Sequence, residues 1–183
     1  MRLQRSIFLP FTIQFHTTSS SNASLLERER AKIPDRYKWD LTDLYPSDAA
    51  WLDAKQRLVA EIPSVTAFRG RVTESPATLF ACLELTSRLD KELNRLYCYA
   101  GMQSDLDTRS GTYMAMKQEI STIEAEFSAA VSFIEPEILT MSKETIDAFI
   151  AREPRLEIYR HILYEKLRRK EHTGTEGEEK IIA

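Results

Sequence analysis

The chain has 183 residues, 43% of them apolar and 29% charged, with a formal net charge of −3. That length suits one domain, or one with a small appendage, and is enough to bury a real core. Five Gly and seven Pro are too few for a loop-rich or disordered chain, and the slightly acidic balance excludes a global pull toward nucleic acid or an anionic membrane.

Residues 1–26, MRLQRSIFLPFTIQFHTTSSSNASLL, carry Arg2 and Arg5, many Ser and Thr, and no acid before Glu27. The composition resembles an organellar transit peptide; the plainer reading is a disordered tail, or translated sequence upstream of the true start. Residues 1–33 are therefore set apart as a disordered or targeting-like leader. ASLLERERAKIP is compatible with one short helix stopping before Pro34. Elsewhere no apolar run reaches the ~18–20 residues of a membrane span. The expected location is cytoplasmic, with organellar import as the alternative.

The stretch RYKWDLTDLYPSDAAW, residues 36–51, has two Trp, two Tyr and two Leu but neither a helical nor a strand period. Pro34 and Pro46 bracket it and forbid a continuing helix. Trp39, Leu41, Leu44 and Tyr45 are large and apolar and are expected to be buried. Ser47 reads as the N-cap of the next helix, with Asp48 in its first turn, where the dipole favours an anion.

That helix runs to about Ile62, with Trp51, Leu52, Leu58, Val59 and Ile62 at a period near 3.6, and Pro63 ends it. SVTAFRGR gives a short helical turn stopped by Gly70. Ser75 as N-cap and Pro76 at the first helical position announce a long helix. Its stripe is Leu79, Phe80, Leu83, Thr86, Leu89, Leu93, Leu96, Tyr97 and Ala100, with Arg88, Asp90, Lys91, Glu92, Asn94 and Arg95 opposite. SDLDTRSG breaks the pattern. A second long helix spans about 110–133 with a stripe of Tyr113, Met116, Ile120, Ile123, Phe127, Ala130 and Val131. Two such helices joined by a short polar connection are antiparallel neighbours. IEPEIL bends the chain at Pro136. SKETIDAFIARE is a short helix capped by Ser142. PRLEIYRHILYEKLRRK is another, with Leu156, Tyr159, Ile162 (or Leu163) and Leu167 inward. Thr175 and Glu178 have capping-box spacing five residues before the sequence given stops, so an element is announced and not completed. The fold class is all-α: an antiparallel helical hairpin or bundle.

Few residues carry chemistry. Cys82 and Cys98 fall on one helix sixteen residues apart, about 24 Å at 1.5 Å per residue. A disulfide bridges only up to roughly 7 Å between Cα atoms, so both are expected to be reduced, buried thiols. The three histidines are His16, His161 and His172. Glu157, His161 and Glu165 line one helical face, a column that reads as a solvated polar stripe before it reads as a metal site, since a usable site draws on more than one element. There is no H-E-x-x-H, no pair of Cys-x-x-Cys, no G-x-S-x-G and no glycine-rich phosphate loop. Arg168, Arg169, Lys170 and His172 in KLRRKEH sit where a helix ends and complement its dipole rather than mark an RNA site. Met114 and Met116 read as core fillers. Residue chemistry alone describes a helical domain without an active site of its own.

The order of segments says more. KWDLTDLYPSDAAW resembles the N-terminal signature of the oligoendopeptidase F family, zinc metallopeptidases related to thimet oligopeptidase. FRGRVTESPATL, RLYCYAGMQSDLDTRSGTY, SFIEPEIL and YRHILYEKLRRKEHTGTEGEEKIIA continue the likeness in order, from Pro34 to Ala183. The resemblance implies a large helical enzyme with a deep internal channel that admits oligopeptides. It also implies a zinc held by the two His of H-E-x-x-H and a later Glu, the motif's own Glu acting as general base on the zinc-bound water. Since H-E-x-x-H does not occur here, no catalytic, cofactor-binding or metal residue carries over, and zinc is expected only in the full-length enzyme. Residues 34–183 would be the N-terminal helical lobe, cut before the catalytic domain. That lobe would form one wall of the channel, partnered by a catalytic half on the same or a separate chain and, in the full enzyme, by an oligopeptide. Residues 36–51 would then be a structural strap. The alternative is a stand-alone helical interaction module without activity. A lobe without its partner is also expected to expose an apolar patch beyond the roughly 300–600 Å² usual for monomers.

Overall fold

The computed structural model describes residues 32–106, 108 and 110–170. Nearly all of the expected leader, His16, His172 and the capping-box segment at Thr175 lie outside the described residues. The chain divides into two units, Met1–Trp39 and Asp40–Ala183.

In the first unit a 3₁₀ turn at Asp35–Tyr37 is closed by the Tyr37 amide donating to the Pro34 carbonyl at 3.0 Å. The Arg36 guanidinium lies over the Tyr37 ring, 4.7 Å from its centroid. Trp39 is 56% exposed, so its expected burial does not occur: a single turn presents no surface broad enough to cover an indole.

The second unit holds α1 (Asp48–Glu61), α2 (Pro76–Leu106), α3 (Gly111–Val131), α4 (Ile134–Ile138), α5 (Lys143–Arg152) and α6 (Arg160–Arg169). Two 3₁₀ segments, Ile62–Phe68 and Pro154–Tyr159, lead out of α1 and into α6. No strand occurs among the described residues, and the all-α class holds.

The start signals act as the sequence implies. Ser47, Ser75 and Ser142 each accept, through Oγ, the amide of the residue three further on, at 3.2, 3.1 and 3.2 Å. Each bond satisfies one of the orphan donors of a helix's first turn. Gly70 stops the 3₁₀ segment's exit turn with φ +75°, a conformation that needs no Cβ. Pro136 sits within the first turn of α4, where its missing N–H costs nothing. Two boundaries differ from expectation. α2 runs on to Leu106 because Ser104, inside the expected break, is buried and donates to Met114 Sδ at 3.2 Å. PRLEIYRHILYEKLRRK is not one helix: it opens as a 3₁₀ segment, pinned by the Glu153 carboxylate accepting the Arg155 side chain at 2.8 Å, before α6 begins.

α2 and α3 form the central antiparallel pair, shown by Ser104 facing Met114 near the connection. α1 and the first 3₁₀ segment pack against this pair; α5 and the second 3₁₀ segment also pack on α2, α6 packs on both of them, and α4 on α6. Leu79, Leu89, Leu96, Ile120, Ile138, Ile146, Leu156 and Leu163 are fully enclosed.

The stripes hold except at their edges. On α1, Trp51 and Leu58 are buried with Ala54, as is Ile62 just past its end, whereas Leu52 and Val59 are exposed at their margin. On α2 the buried tyrosine is Tyr99 and not Tyr97, because only Tyr99 finds a partner for its hydroxyl. Of Ile162 and Leu163, Leu163 points inward and Ile162 is half exposed. Met116 is buried and Met114 exposed, so only one of the two fills the core. Cys82 is buried but Cys98 is exposed, against the expectation for both. At about 100° per residue, sixteen residues turn the helix by some 160° beyond whole turns, which puts the two thiols on nearly opposite sides.

Candidate functional site

The part of the aromatic stretch in the second unit, Asp40 to Trp51, is fastened to α2 at four points. Thr42 first closes a local turn by donating its amide and hydroxyl to Asp40 Oδ1 at 2.9 and 2.6 Å, and these bonds hold the Asp40 carboxyl below its ordinary pKa. Leu41 and Tyr45 then enter the core. The Tyr45 hydroxyl donates to Glu92 Oε1 at 2.6 Å, and its ring meets Tyr99 edge-on at 5.5 Å. The Arg95 guanidinium covers Tyr45 at 4.5 Å and donates to the Leu44 carbonyl. Trp51 Nε1 donates to the Leu96 carbonyl at 3.0 Å. Asp48, in the first turn of α1, accepts from Tyr99 at 2.7 Å and from Tyr113 at 3.4 Å, so one carboxylate joins α1, α2 and α3.

Burial is the main cause that raises the Tyr45 and Tyr99 hydroxyls, and the carboxylate each one faces adds to it; Tyr99 is pushed up to about 12. These phenols stay protonated and act as donors. Every polar tip of Tyr45, Trp51 and Tyr99 has a partner within the fold, leaving none to turn to a ligand. The aromatics from Leu41 onward are therefore a fastening, as expected of a strap.

A second fastening was not legible in the sequence. Glu137 of α4 accepts the backbone amides of Gly70 and Val72 at 2.6 and 3.0 Å, clamping the turn ahead of α2. Its only trace in the sequence is an acid in FIEPEIL, sixty-five residues from its partner. Glu137 also adds to burial in pushing the Cys82 thiol up to about 11.

The titratable residues weighed as site candidates do not converge. Glu157 is paired with Arg160 at 2.7 Å and Glu165 with Arg168 at 2.7 Å, and each arginine depresses the pKa of its carboxylate. His161 between them is exposed. In the basic run, Arg168 is held by Glu165, Lys166 pairs with Glu135 of α4, and Lys170 is the C-cap of α6. Among the described residues no three His, Cys, Asp or Glu side chains gather in a group that could hold a metal ion. No described helix is long and apolar enough to cross a membrane.

What the fold does create is a groove of about 580 Å³ along the α2–α3 seam. Its floor is apolar, from Leu93, Ile120 and Phe127, and its rim carries Asp90, Asn94, Tyr97 and Glu124. It lies on the side of α2 away from the strap, whose contacts use Glu92, Arg95, Leu96 and Tyr99. The stripe pattern supplies its floor and Tyr97 but does not announce the groove, because Asp90, Asn94 and Glu124 on its rim are ordinary polar positions of two different helices.

Comparison with known proteins agrees with this architecture. A family model described as Oligopeptidase F matches residues 137–183. Oligopeptidase PepF of Bacillus subtilis is 29% identical over 163 residues, covering 86% of this chain and 24% of that protein. Group B oligopeptidase PepB of Streptococcus agalactiae is 30% identical over 154 residues, covering 84% and 26%. Among solved structures, oligoendopeptidase-F from Enterococcus faecium superposes with a TM-score of 0.67 at 26% identity, over 74% of this chain and 27% of that one. The chain spans about a quarter of the length of the curated relatives it matches. In sequence and in fold the chain is similar to about a quarter of an oligoendopeptidase F protein.

Proposed function

We propose that residues 34–183 act as the channel-forming N-terminal lobe of an oligoendopeptidase F-like zinc metalloendopeptidase that hydrolyses oligopeptides. The zinc and the hydrolytic residues come from a catalytic half on the same or a separate chain. The observation that carries this reading is the match of 86% of the chain to one stretch of an oligopeptidase, with the same course of helices in an oligoendopeptidase. The chemistry of the lobe supports it: no buried side-chain nitrogen or oxygen among the described residues lacks a partner, as suits a scaffold that walls a site built elsewhere. The free thiols Cys82 and Cys98 support a reducing compartment such as the cytoplasm.

The test is a graft. Residues 34–183 replace the matching quarter of the Bacillus subtilis oligopeptidase, and cleavage of a quenched fluorescent oligopeptide is followed with zinc present. Turnover by the chimera, and none by the 183-residue chain with added zinc, is the expected result. A chimera that folds and binds zinc but cleaves nothing would overturn the reading in favour of a stand-alone interaction module. Turnover by the 183-residue chain alone would overturn both.

A further inference from the structure

The α2–α3 groove has the dimensions and charge of a peptide subsite. From Asp90 to Tyr97 α2 advances seven residues, about 10 Å, and from Ile120 to Val131 α3 advances eleven, about 16 Å. An extended chain rises about 3.3 Å per residue, so the groove matches about three to five residues. Its volume of about 580 Å³ lies inside the roughly 300–1,000 Å³ range of small-ligand sites.

The floor and rim divide the work of recognition. Leu93, Ile120 and Phe127 offer apolar surface, and Tyr97, 40% exposed, stands beside it as a flat aromatic wall. Asn94 spends its amide on the Asp90 carbonyl at 2.9 Å and keeps its side-chain oxygen for an incoming N–H. Asp90 and Glu124 bring two negative charges, one from each helix, and no Lys or Arg lines the groove. Neither carboxylate forms an ion pair among the described residues, although Glu61, Glu135, Glu153, Glu157 and Glu165 all do. Two unpaired acids over an apolar floor are complementary to a cation carried on an apolar stem.

We propose that this groove binds an extended oligopeptide of about three to five residues through a Lys or Arg side chain set between Asp90 and Glu124. The choice of a peptide as ligand rests on the peptidase-lobe reading; the preference for a basic side chain rests on the groove alone. The aromatic wall suits an arginine, whose guanidinium can lie on Tyr97 while it donates to the carboxylates.

Isothermal titration of the 183-residue chain tests it, with capped pentapeptides of alanine carrying Arg, Ala or Glu at the centre, at low and at high salt. The Arg peptide is expected to bind at least tenfold more tightly than the Glu peptide at low salt, with the gap closing as salt screens the carboxylates. The double variant Asp90→Asn/Glu124→Gln is expected to lose that preference while its circular dichroism and urea midpoint stay unchanged, because both residues are exposed and unpaired. Glu119→Gln/Glu126→Gln, beside the separate α1–α3 groove, is expected to keep it. A preference that survives the first double variant, or no saturable binding of the Arg peptide up to millimolar concentration, would overturn the proposal. Neither result bears on the graft, whose readout is turnover and not binding to this chain.

Discussion

Replacing Glu137 with Ala removes both acceptors of the clamp on the turn ahead of α2. The Val72 amide sits at a residue with 0% exposure, so it is left without a partner and without water. An unsatisfied buried donor of that kind costs about 1–3 kcal/mol. The Gly70 amide is exposed and can turn to solvent at little cost. The carboxylate also lies in the first turn of α4, where an anion contributes roughly 0.3–1 kcal/mol. The sum is about 1–4 kcal/mol, a large share of the roughly 5–15 kcal/mol by which domains are stable. With a urea slope of about 2 kcal/mol/M, the midpoint should fall by about 0.7–2 M. Glu137→Gln keeps one oxygen for Val72 and should lose less than half as much. The experiment is urea denaturation of the three proteins followed by helical ellipticity. A midpoint for Glu137→Ala within 0.2 M of the parent (about 0.4 kcal/mol at that slope) would refute the claim that the clamp holds the turn.

Three further outcomes follow from the same contacts. Trp51→Phe keeps most of the buried area but leaves the indole's place without a donor to the Leu96 carbonyl, and should lower stability by about 1–2 kcal/mol in the same denaturation. A thiol reagent should modify one cysteine, Cys98, rapidly in the native chain and the second only in urea, because Cys82 is enclosed and its thiol is raised to about 11; mass mapping of the first adduct to Cys82 would contradict this. Tyr99 ionises at about 12 in the fold against 10.0 for an unperturbed tyrosine. The raised value means its share of stability is complete below pH 10 and is lost as pH rises through 12. Midpoints measured at pH 9 and pH 11.5 should therefore converge for Tyr99→Phe more than for the parent, and an equal loss in both would count against it.

Much of this architecture was legible before any coordinates. Ser47, Ser75 and Ser142 announced three helices because capping is local: the oxygen, the amide it accepts and the signal in the sequence lie within four residues. Leu79, Leu89, Leu93 and Leu96, and Ile120, Ile123 and Phe127, announced the central pair because burial on one face forces a helical period. The antiparallel order followed from the shortness of the polar connection. Beyond Trp39 and two helix boundaries, the differences lie at the edges of stripes. Tyr97 and Tyr99, Ile162 and Leu163, Cys82 and Cys98 are pairs in which composition treats both members alike and only the direction of a side chain separates them.

The local code of this sequence thus settled the class of fold, the starts of its helices and its likeness to a peptidase lobe, all of which depend on neighbours along the chain. Tertiary structure alone decided that Asp48 would join three helices, that Glu137 would hold a turn sixty-five residues away, and that Asp90 and Glu124 would flank one groove. Those pairings form only when distant segments are packed together, and a carboxylate carries no mark in the sequence of the amide, phenol or open groove it will face.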